Sequence, residues 1–377
     1  MTRLGRDHVI DALRDPHSVR ALDAAGWDLL VRQARRADLL ARLAGLFDAQ
    51  GLTPHLPAGP AAHFESARQV GRAQQAEVLR EIEHIRRALL PLGVPITLLK
   101  GAAYVAAGLP AAAGRLFSDI DILLPQASLG QAEAALMLGG WASTHHSAYD
   151  QRYYRQWMHE LPPMMHVRRQ TALDVHHAIT PLTARWPVDS ARLQAAAVAL
   201  PGTAGLAVLA PADMVLHSMV HLLLNDELSH GLRDLSDIDL LLRHFGAEPA
   251  FWPSLAGRAE SLGLARALYH AVDSATGILG TPVPLALRQA LAAVATATPA
   301  APLAALMRGL WRRALRSPHP SAGDRRTPIS RWALYLRAHW LRMPPLLLAR
   351  HLGIKALGLH ITRAERELAQ RAANPKP

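Results

Sequence analysis

The sequence predicts an α+β fold: a small mixed sheet with flanking helices and a largely helical C-terminal region. Three observations carry that prediction. Long stretches rich in Ala, Leu and Arg repeat apolar residues at helical spacing, a few β-branched runs are too short for helices, and one of those runs alternates acid and aliphatic side chains. With 377 residues and 50% hydrophobic content, the chain can bury a substantial core divided among several units.

Residues 5–50 and 60–90 read as helical, broken at Leu56-Pro57-Ala58-Gly59-Pro60. Gly93-Val94-Pro95 then opens the short apolar run Ile96-Thr97-Leu98-Leu99, read as a buried strand that ends at Lys100-Gly101. A short helix over Ala102–Leu109 is stopped by Pro110. The next strand, Ser118-Asp119-Ile120-Asp121-Ile122-Leu123-Leu124, places Asp119 and Asp121 on one face and the aliphatic residues on the other. Two acids so close repel unless a cation lies between them, so the pair reads as a site for a hard divalent metal.

Ser128 opens a helix that runs to Gly139-Gly140. Further strands are expected at Trp141–His145, Met164–Arg168 and Ala172–Ile179, the last with Asp174 and His176 on one face, and Asp150 and Glu160 are rival acids within reach of a small sheet. From Pro211 to His244 the pattern is helical again and continues to about residue 315, followed by a linker at Pro318-His319-Pro320-Ser321-Ala322-Gly323. The expected units are therefore an N-terminal helical region 1–90, a core 91–200, a helical domain 201–317 and a basic tail 318–377.

Composition excludes several chemistries. The chain has no cysteine, so disulfides, a thiolate nucleophile and cysteine-ligated zinc are out. The N-terminus lacks the apolar core of a secretory signal and no run of eighteen apolar residues occurs, so a cytoplasmic protein without a transmembrane segment is expected. The net charge of +11 is concentrated, because residues from 303 onward hold 15 Lys or Arg against 3 Asp or Glu. That tail, with Arg331, Trp332, Arg337, Trp340 and Arg342, reads as a helical cap with water-facing arginines or as a contact for an anionic surface.

One near-repeat separates motif from backbone. Ser236-Asp237-Ile238-Asp239 copies the acid pattern of residues 118–121 but continues a helix, where residues two apart point about 200° away from each other. Asp237 and Asp239 are not expected to share an ion; a solvated or capping role is expected instead. His217 and His221, four apart on a helix, read as packing or surface residues, and Arg233 with Asp237 as an intrahelical ion pair.

Leu99-Lys100-Gly101, Gly114-Arg115, Ser118-Asp119-Ile120-Asp121-Ile122-Leu123 and Leu173-Asp174-Val175-His176 together resemble the uncharacterised nucleotidyltransferase family allied to the DNA polymerase beta superfamily. The resemblance spans roughly residues 75–245 and includes the helical segment His217–Leu242. It implies a nucleotidyltransferase-like sheet and metal-dependent transfer of a nucleoside monophosphate from a nucleoside triphosphate such as ATP, with release of pyrophosphate. The implied acceptor is open: a small molecule, RNA or protein.

The resemblance implies two Mg2+ ions, or Mn2+, held by Asp119, Asp121 and Asp174, with Asp174 also helping to deprotonate the acceptor. It implies substrate contacts from Lys100, Gly101, Arg115, Ser118 and His176, the glycine letting backbone approach the triphosphate at a helix N-terminus. The sequence departs from the broader superfamily where Lys100-Gly101 is followed by Ala102 instead of a hydroxyl residue, and His177 stands where an aromatic residue is more usual. Two alternatives stay open: a noncatalytic nucleotide-binding or regulatory protein that retains the fold, and a toxin-like enzyme that nucleotidylates RNA or protein.

Overall fold

The computed structural model describes residues 5–144, 148–225, 227–296, 301–350 and 353. Among them, seven strands form one mixed sheet: β1 (Ile96–Leu98), β2 (Asp119–Leu123), β3 (Trp141–Ser143), β4 (Met164–His166), β5 (Ala172–His176), β6 (Val198–Ala199) and β7 (Leu206–Val208). Their spatial order is β3-β4-β5-β2-β1-β7-β6. The rest of the described chain is mainly helical, as the α+β expectation requires.

The centre of the sheet is where the acids are. β2 lies antiparallel to β1 and parallel to β5, with Asp121 directly opposite Asp174 and Ile120 and Ile122 opposite Leu173 and Val175. The pleat therefore sorts the pair of strands into an aliphatic face, buried throughout, and a face that carries the carboxylates. Strand residues this short and this enclosed draw their stability from packing more than from intrinsic β preference.

Two boundaries differ from expectation. β7 lies beyond residue 200 and pairs in parallel with β1, so a division there cuts the sheet; Leu206 and Val208 are buried in it. Likewise the segment after residue 318 is not a detached tail. Its helix Thr327–Arg342 packs on the helices Ala301–Ala314 and Pro211–Leu224. Arg337 donates to the Leu223 carbonyl at 3.1 Å and lies over the Trp186 and Trp311 rings, so this arginine is a packing residue instead of a water-facing one. Arg331 likewise donates to the carbonyls of Ala314 and Arg316. Residues 351, 352 and 354–377, including Lys355 and Lys376, lie outside the described residues.

The acid pattern at 236–239 is also buried, contrary to a solvated role. Asp237 meets Arg42 at 2.7 Å and Arg115 at 2.8 Å, whereas Asp239 takes Arg243 and the Thr281 hydroxyl. The helix Gly231–Phe245 is enclosed on most sides, so each of its acids needs its own partner. Arg233 pairs with the adjacent Asp234 instead of Asp237. Arg42 further donates to the carbonyls of Ala111 and Ala113 and to Ser236, tying the turn 110–116 between two helices.

Gly114 closes that turn with φ +63°, and a Cβ there would stand 2.4 Å from the Arg42 amide nitrogen and 2.5 Å from the Ala41 carbonyl. Both the left-handed backbone and the close approach require glycine. Gly114→Ala is expected to destabilise the protein by at least about 2 kcal/mol in denaturant unfolding; an unchanged midpoint would contradict this packing.

Candidate functional site

The carboxylate face of β2 and β5 opens on a cavity of about 220 Å3. Its walls include Lys100, Asp119, Asp174 and His176 from the sheet side, His159 and Glu160 from the segment before β4, and His217, His221 and Asn225 from the helix Pro211–Leu224 and its end. Arg342, at the end of the helix Thr327–Arg342, completes the rim.

Asp121 lies behind this surface, 3% exposed. Its Oδ1 accepts from Lys100 Nζ at 2.7 Å and hydrogen-bonds His176 Nε2 at 2.9 Å. Burial alone would raise the Asp121 pKa, but Lys100 and His176 outweigh it and hold the carboxyl well below the usual range. Burial likewise opposes the charge on Lys100, yet Asp121, with Asp119 and Asp174, keeps its ammonium above the ordinary lysine value. For His176 burial is offset by the hydrogen bond to Asp121 and the charge of Glu160, and its pKa is raised.

Asp174 has the opposite fate. Burial first, then the charges of Asp121 and Glu160, push its carboxyl up to about 7. This acid is held against its own ionisation by its enclosure and by the two neighbouring carboxylates. Ligand atoms of Asp121, Asp174 and His176 lie within 4.8 Å of one another, as do those of His159, Glu160 and His176. Carboxylate oxygens supplemented by one imidazole suit a hard divalent cation such as Mg2+ or Mn2+. The residues present are therefore of the kind that could hold such a cation, with Asp121, Asp174 and His176 close enough to share it and Asp119 outside that set.

The remaining sequence candidates separate. Asp119 lines the cavity but does not join the set within 4.8 Å; its Oδ1 accepts from the Ser118 hydroxyl at 2.9 Å. Ser118 is exposed and faces a neighbouring hollow of about 160 Å3. Arg115 is buried against Asp237 and does not line the cavity, which replaces the expected phosphate contact with a structural ion pair. Gly101 has a similar explanation. A Cβ there would lie 2.5 Å from Arg115 Nη1 and 2.7 Å from the Phe117 ring, so its missing side chain makes room for those groups, and the left-handed residue of the turn is Lys100, with φ +45°.

Gly101→Ala is accordingly expected to lower the melting temperature by several degrees, a packing effect of about 1–3 kcal/mol. A variant with unchanged melting that loses only nucleotide affinity would restore the triphosphate reading of this glycine.

The sequence points to packing or surface roles for His217 and His221 and offers Glu160 only as a rival acid, while nothing in it singles out His159. The structure brings all four to the cavity. Burial, then Lys100 and His221, hold His217 well below the usual histidine pKa, and burial followed by His176 and Arg342 does the same for His159. His221 reaches towards Asp234 at 3.6 Å. The i,i+4 spacing of the two helical histidines was the available signal, but it does not say which way that face turns. His177, by contrast, is buried beside the site and its backbone amide donates to the His159 carbonyl. The Asp150 side chain lies outside the described residues.

No curated protein matches the sequence. Among solved structures, the chain is similar to the antibiotic-resistance factor ANT(2'')-Ia, whose solution structure was described with substrate-regulated conformation dynamics. The likeness has 17% identity and a TM-score of 0.33, covering 52% of this chain and 99% of that one. Among the described residues, no helix is long and apolar enough to cross a membrane. Residues 23–280, more than half of the chain, match the family described as uncharacterised nucleotidyltransferase, and the chain belongs to that family.

Proposed function

We propose that the protein is a metal-dependent nucleotidyltransferase that transfers a nucleoside monophosphate from a nucleoside triphosphate to an acceptor hydroxyl, with Asp119, Asp121 and Asp174 as its acidic set. The observation that supports this most is the register of β2 and β5, which sets Asp121 directly opposite Asp174, itself a lining residue of the cavity. Family membership supports the same reaction class.

In this reading the acceptor oxygen attacks the α-phosphorus, the bond from that phosphorus to the bridging oxygen breaks, and pyrophosphate leaves. The acceptor proton passes to Asp174, which lines the cavity. Bound divalent cations supply neutralisation of charge on the attacking and leaving oxygens. Lys100 keeps Asp121 ionised, while His176 orients that carboxylate through its Nε2. Neutral His159 and His217 offer uncharged walls that a polar acceptor can approach without like-charge repulsion from imidazolium.

The test is incubation of the full chain with each labelled nucleoside triphosphate, Mg2+ or Mn2+, and separated small-molecule, RNA and protein acceptor pools. Label transfer that stops on chelation of the metal is expected. Nucleotide binding without transfer under every combination would favour the noncatalytic alternative, for which the absence of a hydroxyl residue after Lys100-Gly101 is the specific observation.

A further inference from the structure

The cavity wall holds a second cluster of donors, of a different kind from the aspartates. His159 and Glu160 come from the segment before β4 and His176 from the end of β5, and one ligand atom from each lies within 4.8 Å of the others. Neighbours on a regular strand point to opposite faces, so residues 159 and 160 converge only because the chain bends at His159. Backbone contacts hold that bend. The His159 carbonyl accepts from the His177 and Ala178 amides at 2.8 and 3.2 Å, Glu160 forms an antiparallel bridge with His176, and the Leu161 amide donates to the Val175 carbonyl at 2.9 Å. Pro162 and Pro163 restrict the φ angles that follow.

The two nitrogens of the His176 ring have different surroundings. Nε2 is 2.9 Å from Asp121 Oδ1, and an ionised carboxylate only accepts, so Nε2 carries the hydrogen. In the neutral ring Nδ1 is then a bare lone pair, buried without a hydrogen-bond partner and 3.3 Å from Glu160 Oε2. His159 Nδ1 is also buried and unpartnered, in a ring whose centroid lies 5.2 Å from that of His176. An ion pair between protonated His176 and Glu160 would occupy that carboxylate but leave His159 Nδ1 without a partner; a cation satisfies all three donors. The Asp121 contact is the outer-shell hydrogen bond that a metal-ligating histidine ordinarily makes, fixing the tautomer and strengthening the opposite nitrogen as a donor.

We propose that His159, Glu160 and His176 form a site for a borderline transition-metal ion, Zn2+ foremost, that shares only His176 with the carboxylate set. Two imidazoles and one carboxylate leave a fourth tetrahedral position for water or a cavity ligand. Mg2+ takes oxygen donors, whereas Zn2+ binds imidazole well and exceeds Mn2+ in affinity for such a set. The ion ties the segment before β4 to the end of β5 and holds His176 Nε2 towards Asp121. Its binding does not require nucleotide transfer, so the site stands or falls apart from that reading.

Full-length protein, treated with chelator and dialysed, is titrated calorimetrically with Zn2+ in excess Mg2+, alongside His159→Gln, Glu160→Gln and Asp174→Asn. Wild type is expected to bind one equivalent that Mg2+ does not displace. His159→Gln and Glu160→Gln should each weaken it by at least about tenfold, a loss that even an outer-shell change can produce, whereas Asp174→Asn should retain it. Melting curves report whether each variant is folded, and Zn2+ should raise the melting temperature of wild type more than that of His159→Gln.

The chain has 20 histidines, so adventitious binding elsewhere is the rival outcome. Unchanged affinity in both His159→Gln and Glu160→Gln, or no saturable binding to wild type, overturns the assignment. Equal loss in Asp174→Asn also overturns it, seating the ion among the carboxylates. Co2+ added to wild type gives a readout free of substitutions: intense visible bands of a four- or five-coordinate ion that persist in excess Mg2+ are expected, and only the weak bands of a six-coordinate ion would reject the site. Zn2+ binding as expected in a protein that transfers no nucleotide leaves this site standing and removes only the catalytic reading.

Discussion

Asp174→Asn is expected to abolish nucleotide transfer while leaving the metal-free protein as stable as wild type or more so. The loss in rate should reach roughly 10²–10³-fold or more, the scale of removing one preorganised electrostatic stabiliser. The unusual part is stability. Asp174 is pushed up to about 7 by burial, Asp121 and Glu160, so its folded-state pKa exceeds its unfolded value. Between about pH 4 and pH 7 the folded state then binds more protons than the unfolded one, and stability attributable to this group falls as pH rises through that window.

In chelator-treated wild type, the melting temperature should therefore include a component that declines from pH 5 to pH 8, and Asp174→Asn should remove it. Divalent cation should restore stability to wild type at pH 8 more than to the variant. Asp121→Asn should be equally inactive, yet less stable, because the buried Lys100 ammonium would lose its charged partner. An active Asp174→Asn enzyme would remove the basis of the proposed chemistry.

Asp237→Asn is expected to cost about 3–5 kcal/mol of stability, the range for removing one partner from a buried ion pair. Here one carboxylate serves two guanidiniums, Arg42 and Arg115, each under a tenth exposed, so its loss strands two cations. The same contacts join the helix Leu40–Ala49, the turn 110–116 and the helix Gly231–Phe245. Denaturant unfolding would reveal the loss as a lower midpoint. Arg115→Met should also destabilise, because Asp237 would keep only one of its two partners, but enzyme that remains folded should retain nucleotide affinity. A stable Arg115→Met protein that fails to bind nucleotide would return this arginine to the phosphates.

Much of the fold was legible because backbone periodicity is a local property. The alternation at 118–124 and 172–176 marks half-polar strands, and Pro110 and the glycine pair at 139–140 mark helix limits near those observed. β6 and β7 were not legible. Two- and three-residue strands carry too few side chains to show a period, and their pairing comes from long-range contact with β1.

For the candidate site, the sequence determined which residues have the capacity for cation binding and, through strand geometry, that Asp119 and Asp121 share a side. Only the tertiary structure decided which charges answer one another. It placed Asp174 opposite Asp121, gave Arg115 to Asp237, turned His217 and His221 to the cavity and carried Arg342 to its rim. Side-chain direction along one strand or helix follows from bond geometry, whereas ion-pair choice depends on distances between segments more than a hundred residues apart. Because a buried charge must find an opposite partner or cost several kcal/mol, those distances divide the same arginine or aspartate between a structural role and a chemical one.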